Sequence, residues 1–159
     1  MKLKQIVLFI GIIFADQISK WMIDLNMMVG ESITLIPNFF RITYLHNTGA
    51  AWSMLDGKQG FFFIITIVAF ILMVYFYHNA EKNDYLTRYG LIMMMAGTIG
   101  NFIDRIVFHH VRDFLDFVIA GYDFPVFNIA DIALCIGVFL IFVSVFLEQY
   151  YGGASTCEK

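Results

Sequence analysis

The sequence predicts an all-α membrane protein with four transmembrane helices. Charged residues make up only 14% of the 159-residue chain, against about 25% in ordinary globular domains. Mean hydropathy is +0.74. Four apolar runs, at about 5–25, 61–77, 89–105 and 128–147, are each long enough to cross a bilayer and are separated by polar, turn-rich stretches. The length suits a single domain over 1–159. A net charge of −3 offers nothing to nucleic acid. Cys135 sits in an apolar run and Cys157 in the tail, which is neither a disulfide framework nor a prenylation box.

The first span follows Lys2 and Lys4 and so resembles a signal peptide, but no small-x-small cleavage site follows it. A retained first helix is expected. Asp16 and Lys20 interrupt it four residues apart, acid first, the favourable order for an ion pair on one helix face. They read either as a structural salt bridge or as support for a site inside the bundle.

Residues 26–60 are polar enough to leave the membrane, with turn punctuation at Gly30, Pro37-Asn38, Gly49 and Asp56-Gly57. Phe39 to Leu45 is rich in aromatic and β-branched residues and suits a short strand. Asn47-Thr48-Gly49-Ala50-Ala51-Trp52 follows, with small residues that permit close backbone approach and an Asn that both donates and accepts. By itself this is an ordinary turn signal. The second span carries no charge from Phe61 to Tyr77 and reads as lipid-facing scaffold. The third contains Ala96 and Gly100, a small-xxx-small pair suited to close helix packing. It ends with Asn101, Asp104 and Arg105, whose offsets of three and four put them on one helix face.

The stretch His109 to Asp131 concentrates four of the thirteen acidic residues: Asp113, Asp116, Asp123 and Asp131. Adjacent histidines without HExxH-type spacing do not make a metal site, and none is expected. Val111 to Val118 suits a short interfacial helix, with Asp113 and Asp116 at offset three. Pro125 breaks the chain, and Asn128 then fits the N-cap of the fourth span, with Asp131 at its third position. A carboxylate at the mouth of a membrane helix is costly unless paired, hydrated or protonated, so Asp131 is equally a functional-site candidate.

Four spans place both termini on one side. That side carries Lys2, Lys4, Lys82, Arg88 and Lys159 and is more densely basic than the two longer segments opposite, so it should be cytoplasmic. Asn47, Arg105, Asp113 and Asp131 then fall near the outer leaflet. Two carboxylates meeting at a membrane surface suit aspartic protease chemistry, because like charges in proximity share a proton and one can serve as base while the other serves as acid. Serine, metal and prepilin-type membrane protease motifs are missing from the sequence.

Five blocks occur in one order: Asp16-Gln17-Ile18-Ser19-Lys20, Asn47-Thr48-Gly49-Ala50-Ala51, Gly100-Asn101-Phe102-Ile103-Asp104-Arg105, Asp113-Phe114-Leu115-Asp116-Phe117 and Phe127-Asn128-Ile129-Ala130-Asp131. Together they resemble the bacterial lipoprotein signal peptidases, the signal peptidase II family, over nearly the whole chain. The resemblance implies a four-helix aspartic endopeptidase of the bacterial inner membrane, without cofactor. It would remove the signal peptide from diacylglyceryl-modified prolipoproteins just before the lipidated cysteine. Expected partners are those substrates and membrane lipids, and the protein is expected as a monomer. The catalytic pair maps onto Asp113 and Asp131. Asn47, Gly49, Asn101, Asp104, Arg105 and Asn128 match residues lining the site, and Asp16 and Lys20 match the first-helix motif. The same resemblance implies a small extracytoplasmic β-rich cradle between spans one and two and a short helix between spans three and four. Two positions depart from the family pattern. His46 stands where arginine is common and Arg112 where an aliphatic residue is common; an Arg112 directed to lipid headgroups would leave the site unchanged.

Two other classes fit part of the sequence. A proton-coupled transporter would use Asp16, Lys20, Asp104 and Asp131 as relay groups, but paired halves are missing and the acids gather near one leaflet. A noncatalytic assembly factor would use the polar blocks as packing contacts. Proton-dependent uptake would favour the first; loss of activity on an isosteric Asp→Asn change would disfavour the second.

Overall fold

The computed structural model of the chain describes residues 2–49 and 59–152. Ala50, Ala51, Trp52, the Asp56-Gly57 turn, Lys58, Cys157 and Lys159 lie outside the described residues. The elements in chain order are α1 (Leu3–Asn26), β1 (Ser32–Ile36), β2 (Phe40–Asn47), α2 (Gln59–Asn79), α3 (Tyr85–Phe108), β3 (Val111–Ile119), β4 (Tyr122–Asp123) and α4 (Ile129–Gly152). Four helices are long and apolar enough to cross a membrane. Their outward faces leave Phe14, Ile64, Ile71, Phe139 and Phe142 exposed. A water-soluble monomer does not tolerate an apolar surface of that extent, whereas lipid does. The chain is a multi-pass membrane protein.

Helix α3 is central. In its most apolar window 44% of residues are buried, against 11–17% in the other three helices. Small residues let the neighbours close in. A methyl group at Gly97 would collide with the Ala130 carbonyl, and one at Gly100 would lie 2.6 Å from Asp16 Oδ2. This is the close packing expected of the third span, and it brings the N-terminus of α4 against both α1 and α3. Asp84 caps α3 by accepting from Thr87 N–H at 3.0 Å, and Ser144 Oγ of α4 donates to the same carboxylate at 2.7 Å.

The polar segments form one four-stranded antiparallel sheet in the order β1-β2-β3-β4. The strand expected over Phe39 to Leu45 is β2. The short interfacial helix expected over Val111 to Val118 is a strand instead. Its run of β-branched and aromatic residues suits a pleated, half-buried surface, and long-range pairing decides the outcome. Phe40, Arg41, Ile42, Leu45, His46 and Asn47 of β2 pair with β3 on one edge. On the other edge Leu115 exchanges hydrogen bonds with Phe127, at 2.8 and 3.0 Å. The β3–β4 turn, Ala120-Gly121, has positive φ at both residues (51° and 81°), as a tight two-residue hairpin requires. Strand geometry also separates the two aspartates at offset three, since alternate side chains point to opposite faces. Asp116 receives a bidentate pair of hydrogen bonds from Arg41, at 2.8 and 3.0 Å, and one from Thr43. Asp123 binds the same guanidinium. Asp113, on the other face of the strand, meets Asn47 and Asn128.

Candidate active site

The site begins at the N-terminus of α4. Asn128 Oδ1 accepts from Asp131 N–H at 3.1 Å, and Asn128 N–H donates back to Asp131 Oδ2 at 3.1 Å. This reciprocal cap satisfies otherwise orphaned backbone donors and holds the Asp131 carboxylate over the helix end. The side-chain amide of Asn128 remains available. It donates to Asp113 Oδ1 at 2.7 Å and to Asn101 Oδ1 at 3.1 Å. One fully buried asparagine thus ties the carboxylates of β3 and α4 together.

Each remaining carboxylate oxygen also receives an N–H. Asn47 Nδ2, at the end of β2, donates to Asp113 Oδ2 at 2.9 Å, and Asn101 Nδ2 of α3 donates to Asp131 Oδ1 at 2.7 Å. Asn47 is oriented by Gly49 N–H, which donates to its Oδ1 at 3.0 Å. Gly49 is held in turn by Arg105, whose Nη2 donates to its carbonyl at 2.8 Å while the guanidinium lies 4.2 Å from the Phe62 ring centroid. Arg105 Nη1 is buried and has no hydrogen-bond partner among the described residues. These groups border a cavity of about 580 Å³ that both carboxylates line. Its other wall is apolar: Phe124, Phe127, Ile132 and Ile136.

Asp113 is only 3% exposed. Burial, and after it the nearby charge of Asp131, pushes its carboxyl up to about 7, against the hydrogen bonds from Asn47 and Asn128 that favour the ionised form. A carboxyl that keeps a proton near neutrality beside a second carboxyl is the arrangement that lets one pair act as acid and base.

Beneath this layer lies a buried ion cluster. Lys20 Nζ is 2.9 Å from Asp16 Oδ2 and 3.5 Å from Asp104 Oδ2, and Arg112 Nη2 is 2.8 Å from Asp104 Oδ1. All four side chains are at most 4% exposed. The cluster touches the upper layer twice. Lys20 Nζ donates to Asn101 Oδ1 at 3.0 Å, and Asp16 Oδ1 accepts from Ala130 N–H at 2.9 Å. Asp16 and Lys20 are therefore both a salt bridge and a support for the upper layer.

The residues singled out in the sequence thus fall into two groups. Asn47, Gly49, Asn101, Arg105, Asp113 and Asp131 line the cavity. Asn128, Asp104, Asp16 and Lys20 are buried behind it. Asn101 and Arg105 point to the cavity, whereas Asp104 turns to the cluster. Arg112 does not reach toward headgroups. It is 3% exposed, because strand alternation points it the opposite way from Asp113, into the bundle, where Asp104 compensates its charge. Gln17, unremarked beyond its place in the first block, donates to Asp16, Asp104 and the Gly100 carbonyl. His110 stacks on His46, with ring centroids 3.6 Å apart, and burial holds both below the ordinary histidine value.

The chain is similar to known proteins along most of its length. The family model described as signal peptidase (SPase) II matches residues 8–147. The lipoprotein signal peptidase of Staphylococcus haemolyticus is 46% identical, over 88% of this chain and 89% of its own length. That of Bacillus pumilus is 45% identical, over 84% and 86%. Two solved structures, each titled as a bacterial membrane enzyme determined by the in meso method, superpose closely. The one at 2.3 Å resolution has a TM-score of 0.87 and 42% identity, covering 92% of this chain and 89% of that one. The one at 1.9 Å has a TM-score of 0.82 and 43% identity, covering 89% and 92%. The chain belongs to the signal peptidase II family of membrane aspartic proteases.

Proposed function

We propose that this protein removes the signal peptide from diacylglyceryl-modified prolipoproteins, cutting just before the lipidated cysteine, with Asp113 and Asp131 as its catalytic pair. The observation that carries the assignment is the convergence of those two carboxylates, from β3 and α4, on one buried asparagine at the wall of a half-apolar cavity. Near neutral pH Asp113 holds the proton and Asp131 is the base. Asp131 takes a proton from water as the water oxygen attacks the scissile carbonyl carbon. Asp113 gives its proton to the carbonyl oxygen. On collapse of the resulting diol, Asp131 passes its proton to the leaving nitrogen and Asp113 recovers one from a hydroxyl. Asn47, Asn101 and Asn128 orient the pair, and Arg105 fixes the Gly49 turn beside it.

The basic residues of the termini and the α2–α3 loop favour a cytoplasmic position for both ends, which puts the cavity at the outer leaflet. A substrate diacylglyceryl group would partition into that leaflet at ~0.8 kcal/mol per buried CH₂. With a signal helix in the membrane on the other side of the scissile bond, the bond is held at the depth of the carboxylates. The unit that does this is the single chain over 1–159, with membrane lipids as its surroundings.

The test is cleavage of a prolipoprotein by purified protein, with and without the diacylglyceryl group, followed by gel shift. Cleavage of the lipidated form, poor cleavage of the bare form, and a loss of ~10²-fold or more in both Asp113→Asn and Asp131→Asn are expected. Equal rates on both substrates would overturn the substrate class. Full activity in either variant would overturn the pair.

A further inference from the structure

We infer that Arg112 is a positioning residue for Asp113, clamping the strand that carries the carboxylate to the ion cluster under the site; the inference rests on the catalytic pair proposed above. Arg112 immediately precedes Asp113 in β3, and the two side chains leave the strand on opposite faces. Four hydrogen bonds run from Arg112 into the bundle. Its backbone N–H donates to Asp104 Oδ2 at 3.0 Å, its Nε to the same oxygen at 3.2 Å and its Nη2 to Asp104 Oδ1 at 2.8 Å. Nη2 also donates to Gln17 Oε1 at 3.2 Å. The guanidinium lies 4.4 Å from the ring centroid of Phe108, which closes its remaining side. Both the main chain and the side chain of one residue are thereby fixed to a single carboxylate on α3 and to α1.

The acceptor is itself immobilised. Asp104 is fully buried, and it faces Lys20 and Gln17 as well as Arg112. Two cations and two anions, Lys20 and Arg112 with Asp16 and Asp104, balance in the cluster. The same cluster sets the opposite arm of the pair, through Lys20 to Asn101 to Asp131 and through Asp16 to the α4 backbone. Arg112 is the member that carries the placement across to β3. Without it, β3 would keep its ladder to β2 but lose the side-chain tie that fixes its height above α3. A displacement of about 1 Å at a reacting group is enough to cost on the order of 10²-fold in rate.

Lysine cannot replace this contact in full, because an ammonium lacks the planar fork that meets both carboxylate oxygens and Gln17 together. A guanidinium from the facing strand could. His46 is the cross-strand partner of Arg112, so both side chains emerge on one face of the sheet. Tyr44, His46 and His110 share that face, and Asp24 of α1 meets it through the Tyr44 hydroxyl at 2.6 Å.

The experiment measures kcat, KM and thermal midpoint for the full chain in detergent on the lipidated precursor. Arg112→Val should lower kcat by about 10–100-fold with KM nearly unchanged, since no side chain that lines the cavity is removed. Adding His46→Arg to Arg112→Val should raise kcat again. Arg112→Lys, the variant to use if Arg112→Val does not fold, should keep the fold and lose several-fold in kcat. Wild-type kcat in folded Arg112→Val or in Arg112→Lys, or a loss confined to KM, would overturn the inference. So would a double variant that regains thermal stability without regaining kcat. Failure of the wild type to cleave the lipidated precursor, or full activity of Asp113→Asn, would instead remove the reading on which the inference rests.

Discussion

Asn128 performs two tasks that can be separated by substitution. Its Oδ1 caps α4 through Asp131 N–H, and its Nδ2 donates to Asp113 and Asn101. Asn128→Ala removes both. Loss of the cap should cost about 1 kcal/mol of stability, and Asp113 loses one of its two side-chain donors. A hydrogen bond to a charged group contributes about 1.5–3 kcal/mol, equivalent to roughly 1–2 pH units. That bond favours the ionised carboxylate, so its loss raises the Asp113 pKa further above its value of about 7. The alkaline limb of the kcat profile should therefore move to higher pH, while kcat itself falls because the carboxylates are no longer bridged. Asn128→Ser is the control. Serine is as good an N-cap as asparagine but has no amide to reach Asp113. It should restore most of the thermal midpoint and leave both kinetic defects. Thermal unfolding in detergent and single-turnover cleavage across pH measure the two effects. Wild-type kcat and an unmoved alkaline limb in Asn128→Ser would show that Asn128 is only a helix cap.

Asp113→Asn should stabilise the fold at pH 8 by a few kcal/mol and have little effect near pH 4. With a folded pKa of about 7 above the unfolded value, the stability this carboxyl contributes is full at low pH and lost as pH rises through 7. A thermal midpoint that responds equally at both pH values would contradict this. Gly100→Ala should destabilise by about 1–3 kcal/mol through overpacking, because the added methyl meets Asp16 Oδ2 at 2.6 Å. An unchanged thermal midpoint would refute the close approach of α1 and α3. Activity should survive EDTA, since each oxygen of Asp113 and Asp131 accepts from an asparagine side-chain or backbone N–H. Zinc-restored activity after chelation would overturn that reading.

The helices were legible because each rests on local signals: a long apolar run and, for α4, a capping asparagine three residues before an acid. The ion pair of Asp16 and Lys20 was legible for the same reason, since helix spacing alone brings the two together. Strand β3 was not. Its local sequence also suits a short helix with two acids on one face, and the deciding interactions come from β2, 75 residues earlier in the register of Arg41 with Asp116, and from Phe127. The strand also decides where Arg112 goes. Once the segment is a strand, alternation sends Arg112 into the bundle and Asp113 to the cavity. The burial of an arginine could be anticipated only from knowing that Asp104 waits beneath it. Asn101 and Arg105 were placed correctly on one face, but the turn of Asp104 away from the cavity depends on where α1 packs, which spacing within α3 does not encode.

The shared proton is the central claim, and infrared titration of the carboxyl band observes it directly. In the wild-type protein, isotope-edited to isolate aspartate, one protonated carboxyl that is absent from Asp113→Asn should persist until pH passes about 7. In Asp131→Asn, where the neighbouring charge is gone, the same band should disappear at lower pH. Loss of the band by pH 5 in the wild type, or the same midpoint in Asp131→Asn, would contradict a carboxylate pair that shares its proton.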